Sequence, residues 1–325
     1  MPAARTGPGR RKRGGAPASE PDGLAPGVLA GDSLSVARAI SLVEDRAPEG
    51  AALLQSIASA AGRAHRVGVT GPPGAGKSTL VNALAKVILD RGGSIGILAV
   101  DPTSPFTGGA LLGDRVRMQG AAGDPRVFIR SMASRGGLGG LAAAAQDAAD
   151  VLDAAGKAWV VMETVGVGQT EVEVAGAADT VVVLLHPEAG DGVQAMKAGL
   201  MEVADIFVVN KADREGADRV ARDLTMMLGL REAHGDLDPE ILKLSASTGQ
   251  GVPELVAALA RHGDRLSAGG GQGLAERRRR QAEARLRLLL LDRTRRQAEQ
   301  ALARLGGLEA LATEVASRRL DPYAA

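Results

Sequence analysis

The chain of 325 residues has no cysteine. That excludes a disulfide framework and any thiolate metal site. Aromatic residues make up only 2%, so Val, Leu, Ile and Ala must build the core. Such a core favours helices layered on a Val-rich parallel sheet. Charge of either sign is not in surplus: 39 Lys and Arg against 38 Asp and Glu leave a formal net charge of +1. No overall field therefore draws the chain to nucleic acid or to an anionic membrane. No apolar run approaches the roughly 18 residues needed to span a bilayer. The expectation is a soluble, cytoplasmic protein with neither nucleic acid nor membrane among its partners.

Four regions follow from composition. Residues 1–23, "MPAARTGPGRRKRGGAPASEPDG", are rich in Pro, Gly and Arg with no acid before Glu20. They read as a disordered tail. The Arg-rich, acid-poor pattern is also that of a transit peptide, which makes the mitochondrial matrix the alternative compartment. Residues 24–65 carry helical spacing, with Val36, Ala39, Ile40 and Val43 on one face. Asp32 or Ser33 can cap that helix, and Pro48 suits the first turn of the next. In residues 66–266, seven apolar runs ("RVGVT", "IGILAVD", "VFIRS", "WVVMET", "TVVVLL", "DIFVVN", "ILKLSA") alternate with helical stretches. That alternation predicts a parallel sheet covered on both faces. Residues 267–325 open on the flexible "SAGGGQG" and continue as one long helix or two. There Arg277 to Arg280 interleave with Glu276 and Glu283 as on a solvated face, while Leu286, Leu289, Leu290 and Ala298 form an apolar side. A packing or dimerisation arm is expected there rather than a nucleic-acid arm.

The first chemical motif is "GVTGPPGAGKSTL". Gly71, Gly76, Lys77 and Ser78 stand in the G-x-x-x-x-G-K-S spacing between a strand and a helix, the context a phosphate-binding loop requires. The loop residues Gly71, Pro73, Gly74, Ala75, Gly76 and Thr79 surround phosphate oxygens at a helix N-terminus, with the backbone N–H groups of all but Pro73 free to turn toward them. Lys77 reaches the β/γ-phosphates and the Ser78 hydroxyl ligates Mg²⁺. The second motif, Asn210-Lys211-Ala212-Asp213, follows the strand "DIFVVN". Its carboxylate can accept from guanine N1–H and the exocyclic amine together, a donor pair adenine lacks. Ser245, Ala246 and Ser247 in "ILKLSASTGQGV" match the turn whose amide meets guanine O6. GTP and GDP are therefore preferred over ATP.

Magnesium and hydrolysis call for carboxylates near the γ-phosphate. Asp101 and Glu163 end expected strands, where parallel sheets build ligand sites, and Asp114 follows in "LLGDRVRM". Glu163 opens "ETVGVGQTEVEV", where small GTPases carry the aspartate of D-x-x-G. Lys77, Asp101 and Glu163 are the catalytic candidates; Ser78, Asp101, Asp114 and Glu163 are the metal candidates. The single Trp159, four residues before Glu163, is expected to report the switch by its fluorescence. The four histidines show no ligand spacing.

At this point the chain resembles the MeaB/ArgK/MMAA GTPases associated with methylmalonyl-CoA mutase. The resemblance rests on "GVTGPPGAGKSTL", "AVDPTSPFTGGALLGDRVRM", "VFIRSMASRGGLGGLA", "ETVGVGQTEVEV", "AGDGVQAMKAGLMEVADIFVVNKAD", the terminal "LDPYAA" and the N-terminal "LAGDSLSVARAISLVE". It implies a P-loop NTPase G domain of α/β class, flanked by N-terminal helices and a C-terminal helical arm that pairs two subunits into a homodimer. It implies a chaperone that gates cofactor loading from an adenosyltransferase and protects or reactivates an adenosylcobalamin-dependent acyl-CoA mutase. By motif match, Ser78, Asp101, Asp114 and Glu163 fall in the magnesium and catalytic neighbourhood. The stretch from Glu163 falls on switch II, and His186 to Lys197 on a further switch that answers the partner. Thr170, Glu188 and Gly192 depart from the pattern. The alternative is a metallochaperone GTPase that delivers a metal to a client enzyme; such proteins carry Cys/His clusters, which this chain lacks. A kinase is disfavoured by N-K-x-D, and a non-hydrolysing GTP-binding scaffold stays open.

Overall fold

The structure, a computed structural model, describes residues 23–101, 124–133, 140–164, 176–187, 198–229, 238–269 and 273–324. The tail before residue 23, Asp114, the switch segment after Thr164 and the further switch after Pro187 lie outside the described residues.

Each of the seven apolar runs is a strand: β1 His65–Thr70, β2 Ile95–Asp101, β3 Val127–Ala133, β4 Trp159–Thr164, β5 Thr180–Leu185, β6 Ile206–Val209 and β7 Glu240–Lys243. They form one sheet in the order β3-β2-β4-β1-β5-β6-β7, and every neighbouring pair is parallel. Parallel strands need crossovers, and the helices that supply them bury both faces, so the strands need not alternate polar and apolar. Thus all six residues of β5 are buried.

The two faces have separate cores. On one, Val67, Val69, Val161, Val182 and Leu184 pack beneath α4 (Lys77–Asp90) and α8 (Val252–Ala268). On the other, Val100, Met162, Val183 and Leu185 pack with α5 (Gly140–Ala154) and the N-terminal helices α1 (Leu24–Leu29), α2 (Ser33–Glu44) and α3 (Pro48–Ile57). The N-terminal helices therefore share a core with the sheet. Val36, Ala39, Ile40 and Val43 of α2 are buried, Asp32 caps it by accepting from Ser35 N at 2.8 Å, and Pro48 opens α3. The short α6 (Ala198–Val203) precedes β6, and α7 (Ala217–Gly229) packs on β6 and β7.

The C-terminal region is two helices, the 31-residue α9 (Leu274–Arg304) and α10 (Gly307–Ala316). The break falls where Gly306 and Gly307 both take positive φ, a conformation that ends a helix. The reading of Arg277 and Arg278 as part of a solvated charge pattern is corrected here. Arg277 makes a bidentate pair with Asp205 at 2.9 and 2.6 Å, and Arg278 donates to Asp179 at 3.2 and 3.1 Å. Gln281 donates to the Ala178 carbonyl at 2.7 Å, and Arg285 pairs with Asp150 and Asp147. Asp179 and Asp205 immediately precede β5 and β6. The arm thus roots on the amino edge of the sheet through ions, while Leu286, Leu290 and Leu291 stay 66%, 66% and 67% exposed.

Candidate nucleotide site

The motif residues gather at the opposite, carboxyl edge. After β1 the chain turns through Gly71, Gly74 and Gly76, all at positive φ, into α4. Two of these glycines are needed for space as well as for φ. A Cβ at Gly71 would stand 2.3 Å from the Leu184 carbonyl oxygen, and one at Gly76 would stand 2.5 Å from Asn210 Nδ2. Ala75 is buried, whereas Pro73, Gly74 and Thr79 are exposed. Lys77 is only 6% exposed, and its ammonium donates to the Gly71 carbonyl at 2.8 Å and the Pro72 carbonyl at 3.1 Å. A buried ammonium held by carbonyls inside a loop of N–H groups is a charge set for phosphate oxygens.

At the second residue of α4, the Ser78 hydroxyl donates to Glu163 Oε1 at 2.5 Å. Glu163 is buried near the end of β4, in register with Val69 of β1 and Ala99 of β2. Asp101 ends β2, the other strand beside β4, and so lies at the same sheet edge. A hydroxyl and a carboxylate meeting in this way are the hard oxygen donors that suit Mg²⁺.

The base loop follows β6. Asn210 is buried; its Nδ2 donates to the Ala75 carbonyl at 2.7 Å and its Oδ1 accepts from Ala246 N at 3.0 Å. One side chain thus joins the phosphate loop, the 210–213 loop and the turn after β7. Lys211 holds φ +57, a left-handed conformation uncommon outside glycine and a mark of a backbone fixed by its surroundings. The Asp213 carboxylate lies below the usual range, chiefly because the Ser245 hydroxyl donates to it. Ser245 in turn bonds Ser247 Oγ at 3.2 Å, and its backbone N–H closes a bridge to the Gln250 carbonyl at 2.9 Å. The strand expected over "ILKLSA" ends at Lys243, because Ser245 and Ala246 already belong to this turn. His186, at the end of β5, is half-buried; burial and the charges of Lys211 and Arg214 push its imidazole toward the neutral form.

Two features escape sequence reading. The first is a buried hydroxyl pair, Thr164 Oγ1 donating to Thr70 Oγ1 at 3.0 Å. The second lies at the amino edge, where Thr180 Oγ1 sits 2.7 Å from both His65 Nε2 and His262 Nδ1. His262 Nε2 is 3.4 Å from Asp205 Oδ1. A hydroxyl has one proton, so with both imidazoles neutral and His262 Nε2–H facing Asp205, Thr180 donates to His262 and His65 donates to Thr180. Trp159 stacks on His65, with ring centroids 4.8 Å apart. That sets the indole at the opposite end of β4 from Glu163 and argues against Trp159 as a direct reporter of the switch. It starts β4 whereas Glu163 lies four residues on, roughly 13 Å away at the rise of a strand.

Comparison with known proteins supplies relatives for this geometry. The family profile described as Methylmalonyl Co-A mutase-associated GTPase MeaB matches residues 36–302. A Pyrococcus horikoshii protein named as a GTPase is 48% identical over 298 residues, covering 91% of this chain and 92% of its own. The GTPase ArgK of Escherichia coli K12 is 40% identical over 248 residues, covering 74% and 75%. Among solved structures, one described as LAO/AO transport system kinase superposes with a TM-score of 0.69 at 29% identity, covering 93% of this chain and 94% of that one.

Proposed function

The chain belongs to the MeaB family of methylmalonyl-CoA mutase-associated GTPases, and on that premise we propose that it is a nucleotide-timed chaperone of an adenosylcobalamin-dependent acyl-CoA mutase. Its enzymatic activity is GTP hydrolysis to GDP and phosphate. In the proposed arrangement the loop from Gly71 to Thr79 holds the phosphates and Lys77 neutralises the γ-phosphate charge. Ser78, Glu163, Asp101 and Asp114 are the residues that would hold Mg²⁺, directly or through water. Asp213 reads the guanine N1–H and amine, and the turn from Ser245 to Ser247 presents its amide to the base oxygen. Magnesium, when bound, supplies charge neutralisation across the β/γ-phosphates.

The observation that carries the reading is the Asn210 bridge. Phosphate loop and base loop are fixed to one another at 2.7 and 3.0 Å, as a site for one nucleotide of set length requires. The exposed leucines of α9 support a second element of the proposal, that the arm pairs two copies of the chain. The client mutase takes its cofactor from an adenosyltransferase under control of this GTPase.

Mixing the purified chain with a purified adenosylcobalamin-dependent mutase and following phosphate release tests the assignment. Acceleration above the rate of the chain alone is expected. An unchanged rate across methylmalonyl-, isobutyryl- and ethylmalonyl-CoA mutases would overturn the client assignment and leave the GTPase intact.

A further inference from the structure

We propose that Thr70 and Thr164 form a positioning pair that holds Glu163 against Ser78 during GTP hydrolysis. Strands β1 and β4 are neighbours, with Val69 beside Glu163 in register. The next residue on each strand is a threonine, and the pleat sends both to the opposite face. Thr70 is 0% exposed and Thr164 3%, and their hydroxyls meet at 3.0 Å. Their in-register neighbours are apolar, Val183 beside Thr70 and Val100 beside Thr164.

Two valines would fill such a place without any polar group to satisfy. Burying two hydroxyls is unfavourable unless they are bonded, so the pair contributes alignment more than burial. What it aligns is specific. Thr164 follows Glu163, and Thr70 precedes Gly71, whose carbonyl holds the Lys77 ammonium. On one face of the two strand ends Glu163 accepts from Ser78; on the other Thr164 donates to Thr70. Bonds on both faces stop the end of β4 from rolling about its axis. The carboxylate of Glu163 is thereby kept beside the phosphate loop. Both hydroxyls are buried on the face opposite Glu163 and bond to each other, so both are positioning residues.

The proposal rests on the reading of Glu163 as a magnesium-linked carboxylate, and E163Q separates the two. T70V, T164V, the double variant, T70S, T164S and E163Q are compared in the full chain. The measurements are kcat and KM for GTP, Mg²⁺ dependence at fixed GTP, GDP affinity and thermal melting. T70V and T164V should each lower kcat about fivefold, the scale of one lost neutral hydrogen bond. GDP affinity should stay within about twofold, because only the hydrolysis step needs the carboxylate in place. The double variant should be no slower than either single one, since the two hydroxyls act as one bond. T70S and T164S should restore kcat while leaving melting below that of the parent, as serine keeps the hydroxyl and loses a methyl group. Unchanged kcat and Mg²⁺ dependence in T164V, beside an impaired E163Q, overturns the pair alone. E163Q equal to the parent overturns the Glu163 assignment and the pair with it. If T70V fails to fold, T164V with its serine counterpart decides the question.

Discussion

Asn210 donates from Nδ2 to the backbone carbonyl of Ala75 at 2.7 Å, across 135 residues of sequence. Its other amide atom accepts from Ala246 N, so a single buried carboxamide sets the distance between phosphate-binding and base-binding loops. Asn210→Ala would leave a buried carbonyl and a buried N–H unmatched, at about 1–3 kcal/mol each. GTP and GDP affinities are both expected to fall at least about tenfold, with a lower melting temperature. Calorimetric titration checks this, and wild-type affinity in the variant would show that the loops do not depend on the bridge.

Lys77→Ala removes the one ammonium buried within the described phosphate loop. Single-turnover GTP hydrolysis should slow by about 100-fold or more, the usual scale for losing a charge aimed at a transition state. Hydrolysis at the parent rate would displace Lys77 from the site. ATP should not compete for the same site at concentrations where GDP does.

Burial pushes the His65 imidazole down from 6.5 to about 4; the carboxylates of Asp179 and Asp205 oppose that shift, and the Arg278 guanidinium adds to it. Between those two values the unfolded chain binds more protons than the folded one, so stability rises with pH across that window. It should therefore fall as pH drops below about 6.5 and go on falling to about 4, by up to about 3 kcal/mol from this residue. Urea unfolding at pH 7 and pH 5 measures the difference, and His65→Phe should show a smaller one. An equal drop in both proteins would remove His65 as the cause.

Trp159 emission should differ little between GTP- and GDP-loaded protein, because the indole lies at the far edge of the sheet from Glu163. His65→Ala should change that emission directly by removing the stacked ring. A nucleotide-dependent shift retained in His65→Ala would mean that the indole senses the carboxyl edge after all.

Arg277→Ala would strip Asp205 of its bidentate partner at the root of the arm. Burial raises the Asp205 carboxyl, but hydrogen bonds from His262 and Arg277 outweigh it and hold the group below the usual range. Removing the arginine should destabilise the protein by about 3 kcal/mol, the low end for a broken buried pair, since this one is partly exposed. GTP affinity should stay unchanged, because the ion pair sits at the amino edge. Chemical unfolding and nucleotide titration on the same preparation read both outcomes.

The sequence by itself determined what depends on neighbours in the chain. Seven apolar runs became seven strands, Asp32 capped its helix, and glycines spaced before Lys77 and Ser78 made the turn into α4. Periodicity, capping and glycine φ act over a few residues, so residue order is enough to show them. Only the tertiary structure decided which strand ends meet. The order β3-β2-β4-β1-β5-β6-β7 sets β1 between β4 and β5. That placement brings Ser78 to Glu163 across 85 residues, Thr70 to Thr164 across 94, and His65 to Thr180 across 115. It also puts Asp205 and Asp179 under the arginines of α9, which residue spacing alone assigns to a solvated face. Such pairings are fixed by strand order and by burial on both faces of the sheet. A buried hydroxyl or carboxylate must find its partner from whichever segment the fold lays beside it, however distant that segment is along the chain.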